Sequence, residues 1–300
     1  MRVVSPALLL LAACGPAIHV PPPERVARVE RPGREVELCV LMQERAVRPI
    51  WQGCAEASLA PWQFAIASVL VKHPAGLVVL DPAFGRGIES DLQRAGVVSR
   101  LAFGEARTKK PLVDVLEAAG VDPADVRYAL ATHVHWDHVG ALGDLPNARV
   151  LIARPELEFA RPLRRGMETG VMPHHLKRAK RRTFAFDFTG PPVEAFASSF
   201  DFFGDGAVVA VPMPGHTPGS TAFLVRSAGK TWLFSGDTSW TSRGVELPAH
   251  KTVPVDSDRE QLAGQLGLLH AYLQHRPDVV VVPAHDATAL ELLPPCAPGK

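Results

Sequence analysis

Residues 126–142 read VRYALATHVHWDHVGAL. Val126 to Ala131 form a short apolar run with the length and composition of a buried strand. The run feeds directly into His133, His135, Asp137 and His138, four metal-ligand residue types within six positions. Along an extended segment residues two apart point the same way, so His133 and His135 can share one metal. Asp137 and His138 follow once the chain turns and can address a second. The stretch predicts a strand that ends in part of a metal site, and the remaining ligands must come from elsewhere.

The same grammar recurs along the chain. Asp81 follows GLVVL, His216 follows VVAVPMPG, Asp237 follows TWLFSG and His285 follows VVVVPA. In a layered α/β domain the strand ends gather at one edge, where sites form. A single histidine after a strand is ordinarily a packing or surface residue; seven ligand types so placed are poorly explained by chance. Imidazole and carboxylate suit borderline metals such as zinc, with iron, manganese or cobalt as alternatives. The count closes as His133, His135 and His216 for one ion, Asp137, His138 and His285 for the other, and Asp237 as a two-oxygen bridge. His19, His73, His174, His175, His250, His270 and His275 lack the pattern, although His174, His175 and His250 could line a pocket.

Hairpins are expected at HPAG and SAGK. KPLVDVLEAAGV reads as a short helix with Pro111 in its first turn and Gly120 as its stop. SDREQLAGQLGLLHAYLQHRP reads as an amphipathic helix with a Ser257/Glu260 capping box and a stripe of Leu262, Leu266, Leu269 and Leu273. Alternation of strands and helices over 300 residues argues for a layered α/β domain, here residues 37–300. Within it, residues 154–205 are irregular and suit an insertion capping the site. They carry a basic cluster (Arg161, Arg164, Arg165, Lys177, Arg178, Lys180, Arg181, Arg182) that is a solvated face, a headgroup contact or a steering patch for anionic substrates. A net charge of +1 gives no electrostatic case for nucleic acid as a partner.

Residues 1–14, MRVVSPALLLLAAC, read as an export signal too short to span a bilayer. Leu11-Ala12-Ala13-Cys14 resembles the lipobox of bacterial lipoproteins, which implies lipidation at Cys14, an anchor on a bacterial membrane facing the periplasm or exterior, and residues 15–36 as a Pro- and charge-rich tether. A plain secretory signal is the alternative. Cys39 and Cys54 could pair in an oxidising compartment, leaving Cys296 odd, or all three could be free. No CxxC occurs, so a structural zinc knuckle is not expected.

HVHWDH resembles the HxHxDH motif of the metallo-β-lactamase superfamily, and PGHTPGS, SGD and PAH resemble its later motifs in the same order. From His138 to His216 is 78 residues, to Asp237 a further 21, and to His285 a further 48. The resemblance spans Ala65 to His285. It implies a four-layer αββα sandwich with two metals at one edge of the sheets, and the same ligand assignment. Asp81 stands where the family has a strand-ending aspartate, usually in LxDTG and here in LDPAFG; the resemblance implies that it orients a metal-binding histidine.

Two adjacent divalent ions would supply a bridging hydroxide, and Asp137, with the bridging Asp237, would complete the catalytic set by passing a proton. The expected reaction is hydrolysis of an ester-like bond in a small substrate. The bridging Asp argues against true β-lactamases, and the lactonase and phosphotriesterase-like branch fits best. A glyoxalase II-like thioesterase and a non-catalytic lipid-anchored metal-binding protein are the alternatives. Signal lactonases of the family carry a Tyr three residues after the bridging Asp, where this chain has Trp240; Trp240 and Trp136, inside the first motif, are the candidate pocket residues.

Overall fold

A computed structural model describes residues 33–56, 58–94, 109–161, 170–252 and 255–298. The proposed signal, Cys14, nearly all of the tether, Arg164 and Arg165 lie outside them. The strands are β1 (Glu37–Pro49), β2 (Pro61–His73), β3 (Gly76–Leu80), β4 (Val126–Leu130), β5 (Arg149–Ala153), β6 (Thr183–Phe186), β7 (Phe200–Asp201), β8 (Val208–Pro212), β9 (Thr221–Ser227), β10 (Lys230–Gly236) and β11 (Val279–Pro283). The α-helices are α1 (Ile88–Arg94), α2 (Leu112–Ala118), α3 (Trp136–Val139), α4 (Arg154–Ala160), α5 (Pro173–Ala179), α6 (Ser242–Glu246), α7 (Arg259–His275) and α8 (Ala287–Leu290).

One sheet has the order β1-β2-β3-β4-β5-β6 and the other β11-β10-β9-β8-β7. In the first, β1, β2 and β3 pair antiparallel and β3 to β6 run parallel. Period-two alternation places the layers. Leu38 and Val40 of β1 join Val208, Ala210, Phe223, Val225, Trp232 and Phe234 between the sheets. Cys39 and Leu41 face the other way, in a cluster with Leu112 and Leu116 of α2. On the second sheet Val209, Val211, Ala222, Leu224 and Leu233 point outward to Leu269 and Tyr272 of α7. This is the expected αββα sandwich. Among the described residues no helix is long and apolar enough to cross a membrane.

The segment 154–205 is partly framework. It supplies β6, the last strand of the first sheet, and β7, the last of the second, so the chain crosses between sheets here. Its run Gly170–Met172 lies on the metal motif: Val171 bridges His135, and Gly170 O accepts from Trp136 N at 2.9 Å. The described members of the basic cluster are mostly exposed, but Arg182 donates to Ala148 O and Leu142 O and so braces the turn before β5.

Two local expectations need correction. The cap of α7 is Asp258, whose carboxylate accepts from Gln261 N at 2.9 Å, not Ser257. Ser257 N and Asp258 N instead donate to His216 O and Gly215 O, so the entry of α7 is used to hold the His216 loop. The disulfide is Cys39–Cys296, not Cys39–Cys54; Cys54 is free and buried. The reason is the length of β1: the ten residues from Cys39 to its end carry the chain about 33 Å away when extended. The C-terminal segment meanwhile lies along β1, with Val40 N donating to Pro294 O and Cys296 N to Val40 O, which puts the Cα atoms of Cys39 and Cys296 4.9 Å apart.

A bridge across 257 residues constrains nearly the whole unfolded domain. Cys296→Ser is expected to lower stability by about 2–4 kcal/mol in denaturant unfolding. Thiol labelling of the unreduced, unfolded protein should leave Cys39 and Cys296 unmodified; labelling of both would contradict the pairing.

Candidate metal centre

The strand ends converge as the sequence predicts. Thr132, after β4, accepts from Thr221 N at the start of β9 at 2.9 Å, and Gly236, closing β10, accepts from Ala284 N after β11. The first bond ties β4 of one sheet to β9 of the other and the second extends the β10–β11 pairing, and at this edge His133, His135, Asp137, His138, His216, Asp237 and His285 gather in one buried cluster.

The seven residues form two groups sharing a face: His133, His135, His216 and Asp237, and Asp137, His138 and His285. Asp237 joins them. Its Oδ2 is 3.4 Å from His216 Nε2 and 4.0 Å from His133 Nε2. Its Oδ1 is 3.2 Å from His138 Nε2 and 3.1 Å from His285 Nε2. Asp137 Oδ2 lies 3.7 Å from His285 Nε2 and 4.0 Å from His138 Nε2. One carboxylate thus presents one oxygen to each set of imidazoles.

Four rings are pinned from behind, which fixes the nitrogen each presents. His133 Nδ1 is 3.1 Å from Thr132 Oγ1, His138 Nδ1 2.9 Å from Asp81 Oδ2, His216 Nδ1 2.9 Å from Asp256 Oδ1 and His285 Nδ1 3.1 Å from Ala65 O. His135 is turned the other way, with Nδ1 inward, 2.9 Å from His216 Nε2. Asp81 adopts a φ of +48°, in the left-handed region. Its carboxylate accepts from Thr132 N and Thr132 Oγ1 while facing His138. One side chain thereby sets the turn and the ring that follows it.

The donor set fits divalent cations. His133 Nε2, His138 Nε2 and Asp237 Oδ1 are buried without a hydrogen-bond partner, a costly arrangement unless an ion is their partner. Burial and the neighbouring histidines hold His133 and His135 well below the usual imidazole range, and burial with Lys251 lowers His216. Neutral imidazole is the form that ligates. Burial also opposes charge on His138, but the carboxylates of Asp237, Asp81 and Asp137 outweigh it and raise the ring well above its usual range. Asp237 is held well below the carboxylate range, against burial, by His285 and His138.

The family model described as Metallo-beta-lactamase superfamily matches residues 62–285, ending on the last of these ligand candidates. The chain belongs to the metallo-beta-lactamase superfamily. It is a metal-dependent hydrolase of that superfamily. It is 29% identical to the N-acyl homoserine lactonase AttM of Agrobacterium fabrum over 239 residues, 77% of this chain and 85% of that one. It is 32% identical to a probable metallo-hydrolase of Mycobacterium tuberculosis over 244 residues, 75% of each chain. Among solved structures, an N-acyl homoserine lactone hydrolase with N-hexanoyl-L-homoserine at its catalytic metal centre superposes with a TM-score of 0.65 at 17% identity, covering 87% of this chain and 98% of that one. The dizinc lactonase AidC gives 0.61 at 16% identity, covering 87% and 90%.

The superfamily's PGHTPGS loop has a steric explanation here. A Cβ on Gly215 would lie 2.5 Å from Leu262 N of α7, and one on Gly219 2.2 Å from Glu156 N of α4. Both glycines let helix backbones press against the loop that carries His216.

Three polar residues of the centre were not found from sequence. Glu156, fully buried, accepts from Val134 N through Oε1 and Gly219 N through Oε2, tying the first motif to the His216 loop. Buried Lys251 donates to Asp237 O at 2.6 Å and pairs with Asp256 at 2.7 Å, and Asp256 holds His216. Nothing in RPELE, HKT or VDSD distinguishes these side chains from surface charge; Lys251 and Asp256 apart, their partners lie 14 to 63 positions away.

The two candidate pocket tryptophans differ. Trp136 is 4% exposed and its ring stacks 5.6 Å from Phe84, in a cluster with Ile88 and Met172, so it is packing rather than a pocket wall. Trp240 is half-buried at the metal edge. Its indole lies 6.5 Å from Trp62 in a stack and 5.6 Å from the His285 ring, and its N–H donates to Asp237 Oδ2 at 2.7 Å.

Asp256→Asn removes the charge behind His216 and the partner of Lys251. Partners of this kind set metal affinity by about 10–100-fold. The variant should bind zinc that much more weakly in competition with a chromophoric chelator, with unchanged far-UV circular dichroism. Burial pushes the Glu156 carboxyl up to about 7 against the pull of its N–H donors. The folded state therefore keeps a proton that the unfolded chain releases from near 4.5 upward. Stability should fall as pH rises from about 4.5 to 7, by up to about 3 kcal/mol from this group. In Glu156→Gln this part of the slope should vanish in urea midpoints taken across that range; an unchanged slope refutes the assignment.

Proposed function

We propose that this chain is an exported, binuclear metal-dependent hydrolase that cleaves an ester-like bond in a small substrate, a lactone being the leading class. The observation that carries the reading is Asp237, with one oxygen toward His133 and His216 and the other toward His138 and His285. A carboxylate so placed suits two ions about 3.5–4 Å apart. His133, His135 and His216 would hold one and Asp137, His138 and His285 the other, with zinc as the expected metal. Such a pair, when bound, supplies hydroxide at neutral pH and an electrophile for the substrate oxygen. Asp137, at the mouth of the second group, is placed to take the proton the attacking water gives up and return it to the departing alkoxide as the acyl C–O bond breaks. Asp237 orients both groups and stays ionised. The similarity to lactonases over three quarters of the chain favours lactones over phosphotriesters and thioesters.

Trp240 separates this chain from signal lactonases with a Tyr at that position. Its only N–H is spent on Asp237 Oδ2, so it does not supply a donor to a substrate carbonyl. With Trp62 it forms an aromatic wall at the metal edge, which suits an apolar substituent beside the scissile bond. Export, and lipid anchoring at Cys14, belong to the same proposal; the reading of residues 1–14 supports them, and so does the Cys39–Cys296 disulfide, a bond that persists in oxidising compartments.

Hydrolysis of lactones, aryl esters, thioesters, phosphotriesters and β-lactams, each with and without chelator, tests the reading. Lactone turnover should be lost on chelation and return with zinc. Asp237→Ala and His216→Ala should each lower kcat/KM by at least about 10³-fold, the several kcal/mol that metal electrostatics contribute to the transition state. Turnover that survives rigorous metal removal, or turnover confined to thioesters, would falsify the proposal.

A further inference from the structure

A second group of ligand types lies outside the centre. Asp91 of α1 meets His174 and His175 in the first turn of α5. His174 Nε2 is 2.8 Å from Asp91 Oδ1 and His175 Nε2 is 2.9 Å from Asp91 Oδ2, with the ring centroids 4.2 Å apart. Asp91 is 3% exposed and His175 1%, while the His174 side chain is 27% exposed, so the group is buried on one side and open on the other. The three residues share no atom with the seven ligand candidates. Among the described residues no lysine or arginine nitrogen pairs with Asp91.

Two accounts compete. In one, two neutral imidazoles donate to a carboxylate and nothing else is involved. In the other, the three are ligands. The donor set is that of a borderline divalent cation, and all its donor atoms lie within 4.8 Å of one another. Tetrahedral metal bonds of about 2.05 Å put neighbouring donors about 3.3 Å apart, so side-chain shifts of about half an ångström from the separations found here would seat the ion. Each carboxylate oxygen faces a different nitrogen, so one cation can replace both protons, and the open side at His174 leaves room for water to complete the coordination. A cation there adds positive charge to a deep carboxylate that is otherwise faced only by the two imidazoles. Unlike the ring of His138 or His216, His175 has no partner at Nδ1, so nothing holds its ring from behind. A site of this kind binds about 10–100-fold more weakly than one with braced ligands.

We infer that Asp91, His174 and His175 form a further divalent-cation site, separate from the catalytic centre. It fastens α5 to α1 and so secures Gly170–Met172, the run that backs His135 and Trp136. Its role is to hold that wall of the centre, not to touch substrate.

The test is zinc content at equilibrium. Chelator-stripped protein is dialysed against micromolar zinc chloride and its bound zinc is counted by plasma mass spectrometry, for the wild type, Asp91→Asn, and the milder His174→Gln at a partly exposed position. Each variant should hold one equivalent fewer than the wild type, and its zinc-induced rise in Tm should be smaller. The readout is a difference, so it does not depend on how many ions the central site takes or on what it hydrolyses. Equal zinc content in the wild type and in the folded variants overturns the inference, and His174→Gln decides it if Asp91→Asn does not fold.

Discussion

A buried carboxylate shared between two sets of imidazoles organises this protein. Asp237 sits where β10 ends, and its oxygens point to ligand groups drawn from β4, β8 and β11. Placing that many polar side chains at one buried edge is unfavourable unless each has a partner. The surrounding structure supplies partners on the outer side: Thr132, Asp81, Asp256 and a carbonyl hold the rings, and Lys251 holds the backbone of Asp237 itself. Cations are the natural partners on the inner side. The two sheets, cross-linked at this edge by Thr221 N to Thr132 O and Ala65 N to His285 O, form the rigid frame that lets five loops meet with sub-ångström demands on geometry.

The apolar walls follow from the same constraint. Strand alternation buries one face of each sheet against the other in an apolar layer and gives the opposite face to helices, so polar side chains of both sheets meet at the strand ends. Trp240 closes that convergence on the solvent side, braced by Trp62 and hydrogen-bonded to Asp237. This chain spends the indole N–H of Trp240 on holding Asp237.

Much of this was legible in the sequence because it rests on local signals. Apolar runs followed by His or Asp marked the strand ends, and the spacing of ligand types marked both groups, Asp237 and Asp81 included. What was illegible depends on long-range approach. Glu156 reads as one more acid in a short helix until Gly219 brings a loop against it from 63 residues away. Lys251 and Asp256 look like surface charge until the chain folds them beneath His216. The cysteine pairing failed for a reason that strand geometry supplies: β1 separates Cys39 from Cys54, and only the return of the C-terminal segment offers Cys39 a neighbour. Ser257 was displaced as the cap of α7 because its backbone is engaged with His216 O. His174 and His175 carried no strand-end signal, and their convergence on Asp91 is visible only in three dimensions.

The central claim is that Asp237 stands between two ions. The most direct measurement is anomalous diffraction at the zinc edge from crystals of the reloaded protein. The account predicts two strong peaks about 3.5–4 Å apart, one on each side of the Asp237 carboxylate, with His133, His135 and His216 around one and Asp137, His138 and His285 around the other. A single peak at full occupancy, or two that leave Asp237 uncoordinated, would contradict it.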